Sequence, residues 1–255
     1  MLLTDGNPNQ TADLTVYESS ILDVAHTESI DLSVKLTLAT EEVSEDVLDI
    51  LLDHTRAFDP LSTVRRTIGV SDVVVTQQMK RWHALHTLEI VYRDAFNNQL
   101  NDRYQAKFEE YRLLSRSARE HTVRFGIGLA LNPVPQAQVP LLSTVAGNAA
   151  GGTFYVAIAW VSALGQAGAP SLATAIATTT LQNVVVTAVN PPAVATGFNV
   201  YAGTTEGSLT LQNSTPIPVG QTFTMPDSGL AAGTAEGSGQ AADVYVTGGP
   251  TLRRG

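Results

Sequence analysis

The stretch TQQMKRWHALHTLEIVYRDAFNN (76–98), continued by QLNDRYQAKFEEYRLLSRSAREHTVR (99–124), decides the fold of the N-terminal half. Apolar residues recur there at three- and four-residue intervals, which predicts one apolar stripe on each of two helices. The stripes contain Trp82, Leu85, Leu88, Tyr92 and Ala95, then Tyr104, Phe108, Tyr111 and Leu114. A short polar turn near Asn97–Asn101 joins the two segments, so we expect an antiparallel helical hairpin.

Basic side chains mark the outer faces of this hairpin, which is the only basic part of the chain. They are Lys80, Arg81, Arg93, Arg103, Lys107, Arg112, Arg116 and Arg119. Three interpretations stay open: a solvated helix face, a surface that docks an acidic protein such as residues 1–75 of another copy, or a nucleic-acid face. Glu109, Glu110 and Glu120 lie among the basic residues and weaken the last interpretation.

The net charge of −9 is unevenly distributed along the 255 residues. Residues 1–75 have four basic and fourteen acidic side chains, and residues 76–130 have nine basic and six acidic ones. No Lys or Arg occurs between Arg124 and Arg253, which argues against nucleic-acid binding by the C-terminal half. The absence of cysteine excludes disulfides and thiolate sites, and neither a membrane span nor a signal peptide is expected.

Ahead of the hairpin the sequence predicts further helices, giving four or five over residues 10–124. One runs from Thr11 to about Thr27, and Asp31 caps a second that breaks near Thr40. Residues 54–70 are expected to form a loop. Val73–Val75 predict a short strand or simply the entry to the hairpin.

After Phe125 the composition turns to glycine, proline and short alternating segments. Pro133, Pro135 and Pro140 predict an extended linker over 131–139. Candidate strands follow, with Phe154 to Trp160 alternating between two faces; the others are Leu172–Thr178, Val184–Val189, Phe198–Gly203, Leu209–Gln212, Thr222–Met225 and Asp243–Val246. Ser228–Gln240 is expected to be flexible because its residues are small.

These patterns predict a multidomain α plus all-β chain. Residues 1–130 form an α-helical domain, 131–139 a linker, 140–247 an immunoglobulin- or fibronectin-III-like β-sandwich, and 248–255 a tail.

No motif for catalysis or cofactor binding stands out, so the chain is not expected to be an enzyme or to hold a cofactor. His83, His86 and Glu89 are spaced three apart, but successive side chains turn away from one another, so a metal site is not expected. An acidic run at helical spacing predicts a solvated face or an interface for a basic partner; it comprises Glu41, Glu42, Glu45, Asp46, Asp49 and Asp53.

The helical segments RWHALHTLEIVYRDAFNN and DRYQAKFEEYRLL resemble those of head–tail adaptor (connector, or head-completion) proteins of tailed bacteriophages. Two later segments are similar to fibronectin-like modules of phage structural proteins, namely ATGFNVYAGTTEGSLTL (195–211) and GGTFYVAIAWVSALGQAGAPS (151–171). Simple adaptors consist of the helical domain alone, so the sandwich is an addition to that pattern.

This resemblance implies a structural role in the virion, at the head–tail interface, after synthesis in the bacterial cytoplasm. Copies would form a dodecameric ring that joins the portal protein to the tail or a tail-terminator (stopper) protein. DNA would only pass through its channel. The residues expected at the oligomer or portal interface are Lys80, Arg81, Arg93, Arg103, Lys107, Arg112, Arg253 and Arg254.

Two alternatives remain open from the sequence. The first is a tail, baseplate or fibre-attachment protein in which the sandwich is the working part. The second is an adhesive, carbohydrate-binding module on a helical anchor, since sugar sites use aromatic residues. The candidates are Tyr155, Trp160, Tyr201 and Tyr245.

Overall fold

The computed structural model describes residues 1–57, 68–98 and 102–247, which fall into two compact units. Of these residues, a helical unit contains those from 6 to 131 together with 242–247. A β unit contains residues 1–5 and 132–241. The predicted multidomain layout, with helices first and antiparallel sheets after them, is confirmed.

Five α-helices build the helical unit: α1 (Thr11–Tyr17), α2 (Ile21–Thr27), α3 (Leu32–Ala57), α4 (Gln77–Asn98) and α5 (Gln105–Phe125). The prediction of one helix over 11–27 is wrong, because the backbone of Glu18 is extended and separates α1 from α2. The Glu18 carboxylate instead accepts hydrogen bonds from the Ser20 and Tyr111 hydroxyls, at 2.7 and 3.0 Å. Contacts with a distant helix therefore fix the break.

Helix α3 begins where the sequence predicted and is longer than expected. The Asp31 carboxylate accepts the backbone N–H of Ser33 at 2.9 Å, as expected for a helix cap. The predicted break near Thr40 is wrong, because the Thr40 hydroxyl hydrogen-bonds the Leu36 carbonyl at 3.0 Å within an unbroken helix. Most of the predicted loop at 54–70 lies outside the described residues.

Helix α4 is the centre of the helical unit. Its predicted stripe is buried, but so are Met79, Ala84, Ile90 and Val91 on other sides of the helix. It is therefore not the two-faced helix that the stripe suggested, because α3 packs on it as well as α5.

Helices α4 and α5 form the predicted antiparallel hairpin. Phe96 stacks with Phe108 and Tyr92 with Tyr111, at centroid distances of 6.3 and 5.3 Å. The contacts therefore pair later residues of α4 with earlier residues of α5, which is the antiparallel arrangement. Placing Leu114 on the stripe is wrong, because it is 37% exposed. Helix α5 instead continues its buried face with small residues that allow close approach: Ser115, Ala118 and Thr122.

A small sheet completes the helical unit. Strand β1 (Ile127–Leu129) pairs antiparallel with β10 (Val244–Val246), and Val73 forms a single bridge to Leu129. Placing the Asp243–Val246 strand in the sandwich is therefore wrong. The alternation of its residues predicts a strand but does not indicate which sheet that strand joins. In the structure it pairs with β1.

The β unit is a sandwich of two antiparallel sheets. One sheet has the order β2-β5-β9; the other has the order β4-β3-β6-β7, with β8 also paired to β6. The strands are β2 (Leu141–Ala146), β3 (Gly152–Ser162), β4 (Thr174–Thr178), β5 (Gln182–Thr187), β6 (Ala195–Gly203), β7 (Thr210–Leu211), β8 (Ile217–Pro218) and β9 (Thr222–Thr224). The sequence missed β1, β2 and β8.

The predicted alternation of β3 is confirmed by two apolar clusters. Val156, Ile158 and Trp160 enter the core between the sheets, where they meet Phe198 of β6 and Val186 of β5. The other face of β3 joins a smaller cluster, made of Ala157, Ala159, Tyr201 and Leu209. Burial on both faces explains why this strand reads as nearly continuous apolar sequence.

The predicted linker over 131–139 differs from what the structure describes. Val134 and Ala137 are buried in the sandwich core, and the Val134 N–H donates to the Gln240 side chain at 2.9 Å. Proline does keep this segment extended, but an extended chain packs as well as a strand does. The predicted domain boundaries also differ from the two units at residues 1–5 and from 242 onward.

The small-residue stretch Ser228–Gln240, for which the sequence predicts flexibility, makes close backbone contacts in the structure. It follows β7, with the Leu211 N–H donating to the Thr234 carbonyl at 2.9 Å. A Cβ on Gly233 would lie 2.1 Å from the Leu211 carbonyl oxygen, so this close approach requires glycine. The small side chains here allow this backbone segment to approach the backbone of β7 closely.

Among the described helices, none combines the length and the apolar character needed to cross a bilayer.

Candidate functional site

A buried polar contact ties α4 to α3 and to the N-terminal segment. The His83 side chain is fully buried; its Nδ1 accepts from the Asn9 amide at 2.9 Å, and its Nε2–H faces the Leu36 carbonyl at 3.1 Å and the Thr40 hydroxyl at 2.9 Å. Burial lowers the pKa of His83 from 6.5 to about 4. This imidazole is therefore neutral at physiological pH and structural in role.

A second histidine, one turn further along α4, is held by two carboxylates. His86 Nε2–H donates to Glu42 of α3 at 2.7 Å, and Nδ1–H donates to Glu89 at 3.2 Å. Burial alone would lower the pKa of His86, but the hydrogen bonds to Glu89 and Glu42 outweigh it and raise the pKa. The arrangement thus favours the doubly protonated, charged ring.

This cluster has the residues of a nucleophilic triad but not the required protonation. The Ser115 hydroxyl lies 3.3 Å from His86 Nδ1. A general base needs one free nitrogen lone pair, whereas both nitrogens of this ring donate to carboxylates. The geometry therefore suits an electrostatic bridge that holds α3 and α5 against α4.

An ion pair closes the same groove between α3 and α5. Arg119 donates to the two carboxylate oxygens of Asp46, at 2.9 and 3.2 Å. This paired geometry is the stronger form of an arginine–carboxylate contact. Two residues of the predicted acidic run, Glu42 and Asp46, are thus used within the unit.

The rest of the acidic run forms an exposed face on α3, which we name the acidic face. It comprises Glu41, Glu45, Leu48, Asp49 and Leu52. The two leucines are 37% and 41% exposed, so the carboxylates surround an apolar strip. The Asp53 side chain lies outside the described residues.

Helix α5 has an exposed face of opposite charge, which we name the basic face. It comprises Arg112, Leu113, Arg116 and Arg124, with the acidic Glu120 among them. Leu113 is 69% exposed and Arg116 forms only a long contact of 3.7 Å with Glu120. Because α4 packs against both α3 and α5, the two charged faces flank the central helix.

Two of the predicted interface residues, Lys107 and Arg103, contact other side chains of the helical unit. Lys107 bonds Glu18 at 2.9 Å and Glu110 at 3.3 Å, so it serves the hairpin itself. The Arg103 guanidinium lies over the Tyr104 ring at 5.1 Å. Arg81, Arg93 and Arg112 are exposed, and Lys80 is half-buried. Arg253 and Arg254 lie outside the described residues.

Sequence reasoning missed the apolar strip between the acidic residues. Leu48 and Leu52 are exposed on α3, whereas Val47 and Leu51 are the buried members of that region. Their four-residue spacing within a run of carboxylates was the available signal, since helix neighbours at that spacing share one face.

A metal or sugar site gains no geometric support among the described residues. No three His, Asp or Glu side chains there are grouped so as to hold a metal ion. Trp160 and Tyr201 are buried within the β unit, so neither offers a free ring face for a sugar to stack on, and Tyr155 is half-buried. Tyr245 is exposed but lies on β10 of the helical unit.

Comparison of the chain with protein-family models, with curated proteins and with solved structures gives no match. The proposal for its function rests on the geometry of the helical unit.

Proposed function

We propose that this chain is a structural protein of a tailed bacteriophage, a head–tail adaptor that forms a ring between the portal and the tail. The observation that carries the proposal is the pair of oppositely charged helix faces on one unit. The basic face of one copy is proposed to dock on the acidic face of the next.

Two different faces that fit each other make a heterologous, head-to-tail contact. Repeating such a contact gives a closed ring when the rotation between copies is an integral fraction of a turn. The acidic face combines Leu48 and Leu52 with charge, and the basic face combines Leu113 with charge, as interfaces combine an apolar centre with a polar rim. Complementary charge also fixes the register of docking and speeds the encounter.

The surrounding assembly follows from the same proposal. The ring sits in the virion between the portal protein and a tail or stopper protein, and DNA passes through its channel. The β unit contains no Lys or Arg, so it offers no basic side chain to the DNA phosphates. We propose that this unit faces protein partners.

Charge reversal on the full chain tests the contact. Glu45→Lys with Asp49→Lys, or Arg112→Glu with Arg116→Glu, should each abolish ring formation in mass photometry and negative-stain images. Carrying all four substitutions in one chain should restore rings, because complementarity returns with opposite sign. The matched control is Glu206→Lys with Glu236→Lys, which reverses two exposed charges of the β unit and should leave assembly unchanged.

Salt and a portal provide the second part of the test. Ring formation should weaken at high ionic strength, since exposed charges are screened within about 10 Å at 0.1 M salt. The proposal fails if the chain stays monomeric at low salt and a portal ring does not capture it. It also fails if the reversed variants assemble like the unaltered protein.

A further inference from the structure

The β2 strand has one unused edge. It pairs with β5 along its other edge, from Leu141↔Thr187 to Ala146↔Gln182, and the Gly147 N–H continues this ladder to the Leu181 carbonyl. Because strand residues alternate in direction, Leu142, Thr144 and Ala146 point their N–H and C=O groups away from β5. Within residues 1–57, 68–98 and 102–247, no strand pairs with this edge.

This edge lacks the usual protection against pairing. Natural edge strands commonly have lysine, proline or a bulge that prevents another strand from adding. The sequence LLSTVA of β2 has none of these, and the β unit has only three charged side chains after residue 131: Glu206, Asp227 and Glu236. Thr144 and Ala146 are exposed, as are Leu141 and Val145 on the outer face of the sheet.

We propose that the β2 edge pairs with the β2 edge of a second copy, antiparallel and about a twofold axis at Thr144. A second copy fits because identical, uncharged edges meet without repulsion, and this edge offers no charge with which to select a charged partner. Centring the axis on Thr144 uses all three outward residues: Leu142 meets the partner's Ala146, and Thr144 meets the partner's Thr144.

The twofold register also pairs suitable side chains. Thr–Thr neighbours across an antiparallel pair stabilise sheets. On the outer face, Val145 would lie diagonal to the partner's Val145 and to the partner's Leu141. The contact is small for a protein interface, so we expect association that depends on protein concentration.

The natural absence of cysteine provides a sharp test. Hydrogen-bonded antiparallel partners have Cα atoms about 5.5 Å apart, within the roughly 4.4–6.8 Å that a disulfide spans. A full-length Thr144→Cys variant should therefore form a disulfide dimer on mild oxidation, seen on a non-reducing gel. Thr204→Cys, which is also exposed and on the same unit, is the matched control and should remain monomeric on the gel.

Proline tests the backbone contribution separately. Thr144→Pro removes an N–H that points away from β5, so the fold should keep its internal ladder. The measurement is sedimentation velocity on a chain that also has Arg112→Glu and Arg116→Glu, which disable the ring contact. In that chain Thr144→Pro should reduce association, and the control Thr144→Val should not. Cysteine dimers no more frequent than in the control, or unchanged association with proline, would overturn the inference.

The result is independent of the adaptor proposal. The twofold contact uses the β unit alone, whereas the charged faces belong to the helical unit. Absence of a charge-dependent ring, together with a Thr144→Cys disulfide dimer, would contradict only the proposed function. The reverse result would contradict only the twofold contact.

Discussion

At the scale of single residues, His83 makes the helical unit sensitive to acid. Its pKa falls from 6.5 to about 4 on folding, so the unfolded chain binds a proton that the native chain rejects between these pH values. We expect the free energy of unfolding to fall by about 1.4 kcal/mol per pH unit in this window through His83, or about 2 kcal/mol at pH 5.

NMR titration of the imidazole protons of the native protein measures this directly. His86 provides the internal control, because its pKa is raised and its contribution has the opposite sign. That contribution is fully present below 6.5 and is lost as pH rises through the native pKa. A His83 that titrates near 6.5 in the folded chain would contradict the buried network. In urea unfolding, His83→Gln should remove the His83 part of the acid slope.

A glycine pair in the β unit gives a second prediction for single residues. A Cβ on Gly203 would lie 2.3 Å from the Ser208 carbonyl oxygen, whereas one on Gly207 meets nothing within 4 Å. Gly203→Ala should therefore destabilise the β unit by about 1–3 kcal/mol, and Gly207→Ala should be close to neutral. Thermal unfolding monitored by circular dichroism checks both, and equal losses would contradict the close approach.

At the scale of elements, the α4–α5 hairpin depends on which side of α5 faces α4. Tyr111 is 3% exposed and stacks on Tyr92, whereas Leu114 is 37% exposed. Tyr111→Ala should cost about 3–5 kcal/mol of stability, because it removes a buried ring and leaves a cavity. Leu114→Ala should cost under about 1 kcal/mol. Chemical denaturation followed by circular dichroism at 222 nm distinguishes the two variants. A larger loss of stability for Leu114→Ala would support the sequence prediction that Leu114 lies on the buried stripe.

At the scale of the whole molecule, the segment 132–139 belongs to the β unit. Val134 is fully buried there and Ala137 nearly so. A fragment spanning 132–241 should therefore be more stable than one spanning 140–241, by roughly 2–3 kcal/mol for the apolar burial alone. Fragments with equal melting temperatures would support the predicted linker. As a control in the full chain, Val134→Asp should destabilise the β unit, and Leu131→Asp, at a position 51% exposed, should not.

The sequence by itself determined the elements whose pattern is local. The α4 stripe, the Asp31 cap, the alternating faces of β3 and the change of composition after Phe125 all follow from spacing along a few turns or strands. Helix and strand periods are set by the backbone, so a sequence pattern is enough to indicate them. The charged residues that could contribute to an interface were identified from the same helical spacing.

Only the tertiary structure decided which charges stay free and which strands pair. Glu42, Asp46 and Lys107 cannot be told apart from their charged neighbours in the sequence. In the structure, each forms a hydrogen bond or ion pair with a residue far away in the chain. The break at Glu18, the burial of His83 and the β1–β10 pair depend on residues more than 40 positions away. Such contacts are set by which faces meet after folding, and no local period encodes that choice.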